Sequence, residues 1–348
     1  GPVWNIGERV EGYTSPAWTL LLGITATFTD AVPYAAQVLG LLSLGLMALS
    51  TVALAHALGV NRPAVTLWLF GCFAPVAFWA LGGLETCLFG AIVTWAVLIT
   101  IQQRYAMAGL AWGMAYLVRP EGVGLFGVTI MVLLVRGYRN PRSRSRILAM
   151  IVIGGTIILA HVTWRLYYYG VPLPNTFYAK VSSNWGTQIM RGVLYVQSFA
   201  IYHLAFLLCI GFSIRRRSWP VCYLFFLLLS YVSYILLVGG DGLFQWRFIV
   251  PIAGILVVLA SVGLESLPLR RKTAFQLAAL IGLSCLLPAV VRGVYANTDT
   301  PAGERGDWTP VQSLRDMYQN WDAMGQWLGE NIPEDYTVAV RAAGYASY

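Results

Sequence analysis

Charge is what this sequence has least of. Only 11% of its 348 residues are Asp, Glu, Lys or Arg, while 58% are hydrophobic; a soluble domain carries about 25% charged residues. An ordinary water-soluble domain is excluded. Histidine and cysteine are also sparse and scattered. His56, His161 and His203 lack metal-ligand spacing, and Cys72, Cys87, Cys209, Cys222 and Cys285 all lie inside apolar runs, where they read as small core hydrophobes. There is no Walker-A loop, no G-x-G-x-x-G before a helix, and no D-x-D pair of the kind that holds a nucleotide-sugar metal.

What the chain does have is a succession of apolar runs, at about 32–58, 64–81, 86–101, 105–118, 122–135, 147–169, 189–213, 218–238, 248–264 and 273–291. This pattern predicts an all-α polytopic membrane protein with about ten transmembrane helices. Before them, "YTSPAW" predicts a short interfacial helix over 15–28, with Ser15 as N-cap and Pro16 at the first helical position.

The net charge of +8 points to topology rather than to nucleic acid. Thirteen of the 23 Lys and Arg residues sit in five short turns: Arg62, Arg104, Arg136 to Arg146, Arg215 to Arg217, and Arg270 to Lys272. Glu265 alone among the fifteen acids falls near them. By the positive-inside rule these turns face the cytoplasm. Every other polar loop then lies on the exoplasmic face: 7–13, 82–86, 119–122, 167–180, 239–248 and the tail from Arg292. Ionisable residues beside hydrocarbon are costly unless they pair or line a cavity. One face nonetheless collects Glu8, Arg9, Glu11, Glu85, Arg119, Glu121, Lys180, Asp241 and Arg247.

Each loop has a bland explanation. "GGLE" reads equally as a helix turn with an acid at the interface, and "RPEG" as a hairpin in which Arg119 pairs locally with Glu121. Arg165 reads equally as a snorkelling cation, with Tyr167 to Tyr169 as an aromatic belt. "NTFYAK" is harder to dismiss, because a belt accounts for Phe177 and Tyr178 but not for Asn175 and Lys180. In "GGDGLFQWRF" three glycines around Asp241 suit a tight turn or close approach to a ligand, and Arg247 can offer a bidentate contact to phosphate. Carboxylates and cations on one face suit base catalysis on a hydroxyl with an anionic leaving group. An anionic donor available outside the membrane is a sugar carried on a polyprenyl phosphate.

The segments "GPVWNIGERVEGYTSPAWTLLL", "GLET", "LVRPEG", "YYGVPLPNTFYAK" and "GGDGLFQWRFIVP", in this order, resemble the bacterial GT-C membrane glycosyltransferases, and among them the actinobacterial terminal arabinofuranosyltransferases of cell-wall arabinan. The resemblance covers roughly residues 1–291. It implies an inverting transfer from a polyprenyl-phosphate sugar, such as decaprenyl-phosphoryl arabinofuranose, to a cell-envelope glycan acceptor on the outer side of the plasma membrane. In that family the acidic pair taken as the catalytic base lies shortly before the segment that opens this chain. A fragment is therefore expected, with the principal base and one span upstream of Gly1. The tail predicts a helix from Thr309 to about 330 and a strand at "TVAV", the start of an exoplasmic domain over 292–348.

On this reading Arg247, Arg119, Lys180 and Arg165 are candidates to hold the donor phosphate. Asp241 and Glu85 bind sugar hydroxyls or orient those cations, and Glu8, Arg9, Glu11, Glu121, Asn175 and Tyr178 line the substrate side. The lipid donor is the expected partner, no cofactor is required, and a divalent metal is neither required nor excluded. Two rivals remain. One is a transporter or lipid flippase, which the lack of internal repeats and the one-sided charge disfavour. The other is a non-catalytic envelope-assembly protein.

Overall fold

The computed structural model describes Arg9, residues 11–137, 141–172, 174, 185–241 and 245–295, and five positions of the tail at 323, 326, 327, 330 and 331; at 142 and 288–295 it describes the backbone alone. The described regular elements are helical: α1 (Pro16–Ala26), α2 (Val32–Ala57), α3 (Pro63–Gly71), α4 (Ala74–Ala80), α5 (Thr86–Ile101), α6 (Tyr105–Val118), α7 (Gly122–Gly137), α8 (Pro141–Tyr169), α9 (Trp185–Tyr202), α10 (Leu204–Phe212), α11 (Trp219–Val238), α12 (Ala253–Glu265) and α13 (Arg271–Tyr295). Contacts divide the chain into two units, Gly1–Asp241 with Gln245–Leu286, and Gly242–Phe244 with Leu287–Tyr348. Helical residues at 323–331 are all that is described beyond α13, so the strand expected at "TVAV" lies outside the described residues.

The all-helical expectation holds among the described residues, but the count of ten spans is not reproduced by length and composition. Among the described residues three helices are long and apolar enough to cross a membrane: α2, residues 143–169 of α8, and α11. The number rises to five if each of two bent pairs is one span. The run 64–81 breaks between α3 and α4 with a 64° bend. Pro75 accounts for that break, since it has no N–H to give and clashes with the preceding turn. The run 189–213 breaks at His203 with an 86° bend. There the ring of His203 packs against Phe73, Phe199 and Trp246.

The apolar surface is turned outwards, as lipid requires. Only 17% of the apolar window in α8 is buried, and Leu42, Leu49, Leu159 and Leu229 are all exposed. The centre is α12, whose residues from Ala253 to Leu264 are buried on every side. Glycines let the helices close on it: Gly263 lies against the carbonyl of Cys209, and Gly40 of α2 against that of Ala80. Four cysteines are buried, but Cys222 is exposed on α11, away from the core position expected of it.

Contacts sort by end. The basic turns meet one another: Arg216 donates to the carbonyls of Leu58 and Gly59, and Arg62 pairs with Glu265 at 3.8 Å. The polar loops meet at the other end. Trp18 of α1 donates to the carbonyl of Gly83 at 3.2 Å, and Tyr13 and Tyr169 share a hydroxyl contact of 3.0 Å. Ser15 occupies the N-cap position of α1 with Pro16 at the first helical position, as expected, yet its side chain makes no capping bond.

Candidate functional site

The "GGDGLFQWRF" segment leaves α11 through two glycines. Gly239 (φ +85°) caps the helix in the left-handed region and Gly240 follows at φ +72°. A β-carbon at Gly239 would strike Gln188 of α9, and one at Gly240 would strike the ring of Tyr195. Between the two sequence explanations for this pair, a tight turn packed against α9 is the one observed; Gly242 lies outside the described residues.

Beyond the turn, Gln245 (φ +55°) and Trp246 (φ +45°) are both left-handed without being glycine. Such strain persists only where the surroundings enforce it. Three hydrogen bonds do so here. The indole of Trp79 donates to the carbonyl of Gln245 at 3.2 Å, the indole of Trp246 donates to Ser198 Oγ at 2.8 Å, and the amide of Phe248 donates to the hydroxyl of Tyr195 at 3.0 Å. Arg247 is thus fixed from both sides. Its Nε donates to Asp241 Oδ2 at 2.5 Å. Its guanidinium lies 5.6 Å from the ring centroid of Trp79 and 5.5 Å from that of Phe248. Its terminal nitrogens make no hydrogen bond to a described residue.

Arg119 is held differently. It closes α6 in extended backbone, which aims its side chain back across the bundle end. Nη1 donates to Glu85 at 2.8 Å, while Nε and Nη2 donate to Glu121 Oε1 at 2.9 and 2.6 Å. All three guanidinium nitrogens are engaged. Local pairing with Glu121 is therefore right but incomplete. Burial works to raise the Glu121 carboxyl, but the charge and hydrogen bonds of Arg119 outweigh it and hold it below the usual range. Burial likewise opposes the charge on Arg119, and Glu121 and Glu85 more than restore it. The guanidinium of Arg119 also lies 5.5 Å from the Phe248 ring, so Phe248 joins the two arginines.

A second cluster forms around Arg165, which does not snorkel. It is 3% exposed, donates from Nη2 to Glu11 Oε1 at 3.1 Å, and brings Nε within 2.8 Å of the other carboxylate oxygen. Nη1 donates to the carbonyl of Pro172 at 3.2 Å. Burial raises the Glu11 carboxyl above its ordinary value, against the pull of Arg165. Arg9 stands 5.2 Å from the Tyr168 ring, and Tyr167, 86% exposed, fits the belt expected of it. Tyr116, three residues before Arg119, bonds His161 at 3.0 Å and connects α6 to this cluster. Glu8, Asn175, Tyr178 and Lys180 lie outside the described residues.

Sequence reasoning missed Trp79 and Phe248. Their one signal was position, an aromatic three residues before "GGLE" and another next to Arg247. Among the described residues no group of three or more His, Cys, Asp or Glu is placed to hold a metal ion.

The chain can now be set beside known proteins. Over 221 residues it is 31% identical to the terminal beta-(1->2)-arabinofuranosyltransferase of Mycobacterium tuberculosis, covering 57% of this chain and 34% of that protein. Over 317 residues it is 25% identical to the protein of the same name from Corynebacterium glutamicum, covering 75% of this chain and 45% of that one. The chain is similar to actinobacterial arabinofuranosyltransferases. The resemblance drawn from the five motifs is therefore supported by overall sequence. The chain spans less than half the length of either curated relative. Its fold is shared with ArnT from Cupriavidus metallidurans in the apo state, with a TM-score of 0.59 at 15% identity over 92% of this chain and 60% of that one. No protein-family model matches the chain.

Proposed function

We propose that this chain is the membrane part of a glycosyltransferase that moves a sugar, arabinofuranose by the name of its relatives, from a polyprenyl-phosphate donor to a cell-envelope glycan. The transfer takes place at the exoplasmic face of the plasma membrane and inverts the anomeric centre. Arg247 carries this reading. It is a cation anchored at one nitrogen, with its terminal fork unbonded to described residues, at the end of the molecule where the polar loops meet. As the glycosidic bond breaks, negative charge grows on the phosphate, and a fixed guanidinium there lowers the barrier.

Asp241 then acts by orienting Arg247. Glu85 and Glu121 act by holding Arg119, whose engaged nitrogens make it an electrostatic support more than a phosphate ligand. Glu11 and Arg9 flank the acceptor side, with Glu8, Asn175 and Tyr178 assigned alongside them from sequence alone. Lys180 and Arg165 stay assigned to the donor phosphate, although the guanidinium of Arg165 is already engaged by Glu11 and the carbonyl of Pro172. The tail from Arg292 is assigned to an exoplasmic domain, and no catalytic base is assigned among the described residues. The donor lipid is a co-substrate, and no resident cofactor is proposed.

The test is reconstitution of the full-length protein in proteoliposomes with a polyprenyl-phosphate pentose and a short arabinan acceptor. Product with the opposite anomeric configuration to the donor supports the reading. No transfer, with lipid crossing the bilayer instead, would favour a flippase. The two broken helices, whose breaks touch through Phe73 and His203, give that rival its one structural argument.

A further inference from the structure

Two arginines lie 5.5 Å from the Phe248 ring centroid, and each has a second ring nearby, Phe89 at 6.0 Å for Arg119 and Trp79 at 5.6 Å for Arg247; what differs is how many carboxylates each one holds. Arg119 is neutralised by two carboxylates, which engage Nε, Nη1 and Nη2. Arg247 has one carboxylate, at Nε, and two aromatic rings. The difference has a chemical consequence. A second carboxylate on Arg247 would take the planar fork that suits two phosphate oxygens. A ring face attracts the same cation through its quadrupole without consuming an N–H donor. Rings can therefore fix a guanidinium and still leave its terminal donors free.

The surroundings fit such a device. Trp79 is 4% exposed, and its indole N–H bonds the carbonyl of the strained Gln245, which ties the ring to the backbone leading to Arg247. Phe248 is 6% exposed and is pinned through its amide to Tyr195. Trp79 reaches this position because α4 is a separate short helix after the break at Phe73.

We propose that Trp79 and Phe248 are positioning residues, an aromatic clamp that holds Arg247 with its terminal nitrogens open to the phosphate of the lipid donor, a diester that becomes a phosphate monoester as the sugar leaves. The inference rests on the reading of Arg247 as a phosphate ligand and adds what keeps it competent. The clamp sets affinity for the phosphate, and it acts only through Arg247.

Binding of farnesyl phosphate to the full-length protein in nanodiscs tests this, with farnesol as the uncharged control. Phe248→Leu and Trp79→Leu should each weaken farnesyl phosphate about tenfold, the scale of a desolvated cation–π contact. Phe248→Tyr, which keeps the ring, should bind as the parent does, and farnesol should be unaffected throughout. In an Arg247→Ala background Phe248→Leu should cost nothing further. Unchanged affinity in both leucine variants would overturn the clamp, as would an equal loss of binding in the Arg247→Ala background, which marks a role in the fold alone. Either ring variant decides the matter if the other does not fold. Parent protein that binds farnesyl phosphate no better than farnesol would remove the phosphate reading itself and the clamp with it. A failure confined to the leucine variants removes only the clamp.

Discussion

Arg119 donates from Nη1 to Glu85 at 2.8 Å, joining the end of one helix to the start of another 34 residues earlier in the chain. With Glu121 completing the triad, a single side chain ties two polar loops together at the bundle end. Removing it leaves two buried carboxylates without a cation. Arg119→Met is expected to cost roughly 3–5 kcal/mol, the usual penalty for breaking a buried pair. Arg119→Lys, which cannot reach both acids, should fall between. Thermal unfolding in detergent measures both; a variant as stable as the parent would show the triad to be dispensable.

Glu121 supplies a pH dependence with a definite sign. Its folded-state value lies below the unfolded one, so its contribution is present above about pH 4.3 and is lost as pH falls through the lower, folded value. The thermal midpoint of the parent should exceed that of Glu121→Gln at neutral pH, and the gap should close under acid. A gap independent of pH would contradict the ion pair.

Glu11 runs the other way. Burial raises its carboxyl, so what it contributes is present below the unfolded value and lost as pH rises through the folded one. Glu11→Gln keeps an acceptor for Arg165 and should change the midpoint little at pH 7, whereas Arg165→Ala empties a buried site and should unfold several degrees lower. Equal losses in the two variants would show that the charge on Glu11 is needed.

Orientation is tested by labelling. In a Cys222→Ser background, Asp30→Cys should react with an impermeant maleimide applied outside intact cells, and Arg270→Cys should not. Both positions are exposed, so reactivity reports the side of the membrane. The reverse pattern would invert the topology and move the candidate site to the cytoplasm.

The parts of this arrangement legible in the sequence were those governed by local rules. Arg119 and Glu121 share one hairpin, so that pair could be read from spacing; Asp241 was left between binding a sugar hydroxyl and orienting a cation, and its bond to Arg247 is seen only in the folded glycine turn. Alternation of basic and polar turns placed Glu85 and Arg119 at the same end but could not say that they touch. Arg165 was undecided because a position near a helix end leaves inward and outward rotamers equally open; Glu11 decides it. The break after Gly71 had Pro75 as its sign. The break at His203 had none, since packing on Phe73 and Trp246 comes from elements far apart in the chain. Trp79 looked like one more apolar residue in an apolar run.

The central claim is that Arg247 stabilises the departing lipid phosphate, and the most direct measurement is turnover by full-length Arg247 variants with a polyprenyl-phosphate pentose donor and a short glycan acceptor. Arg247→Ala and Arg247→Lys should both lose most activity while the protein stays folded, because lysine keeps the charge but not the fork. Asp241→Asn should be comparably damaged, since Asp241 orients that guanidinium. Near-parental turnover in Arg247→Ala would contradict the account.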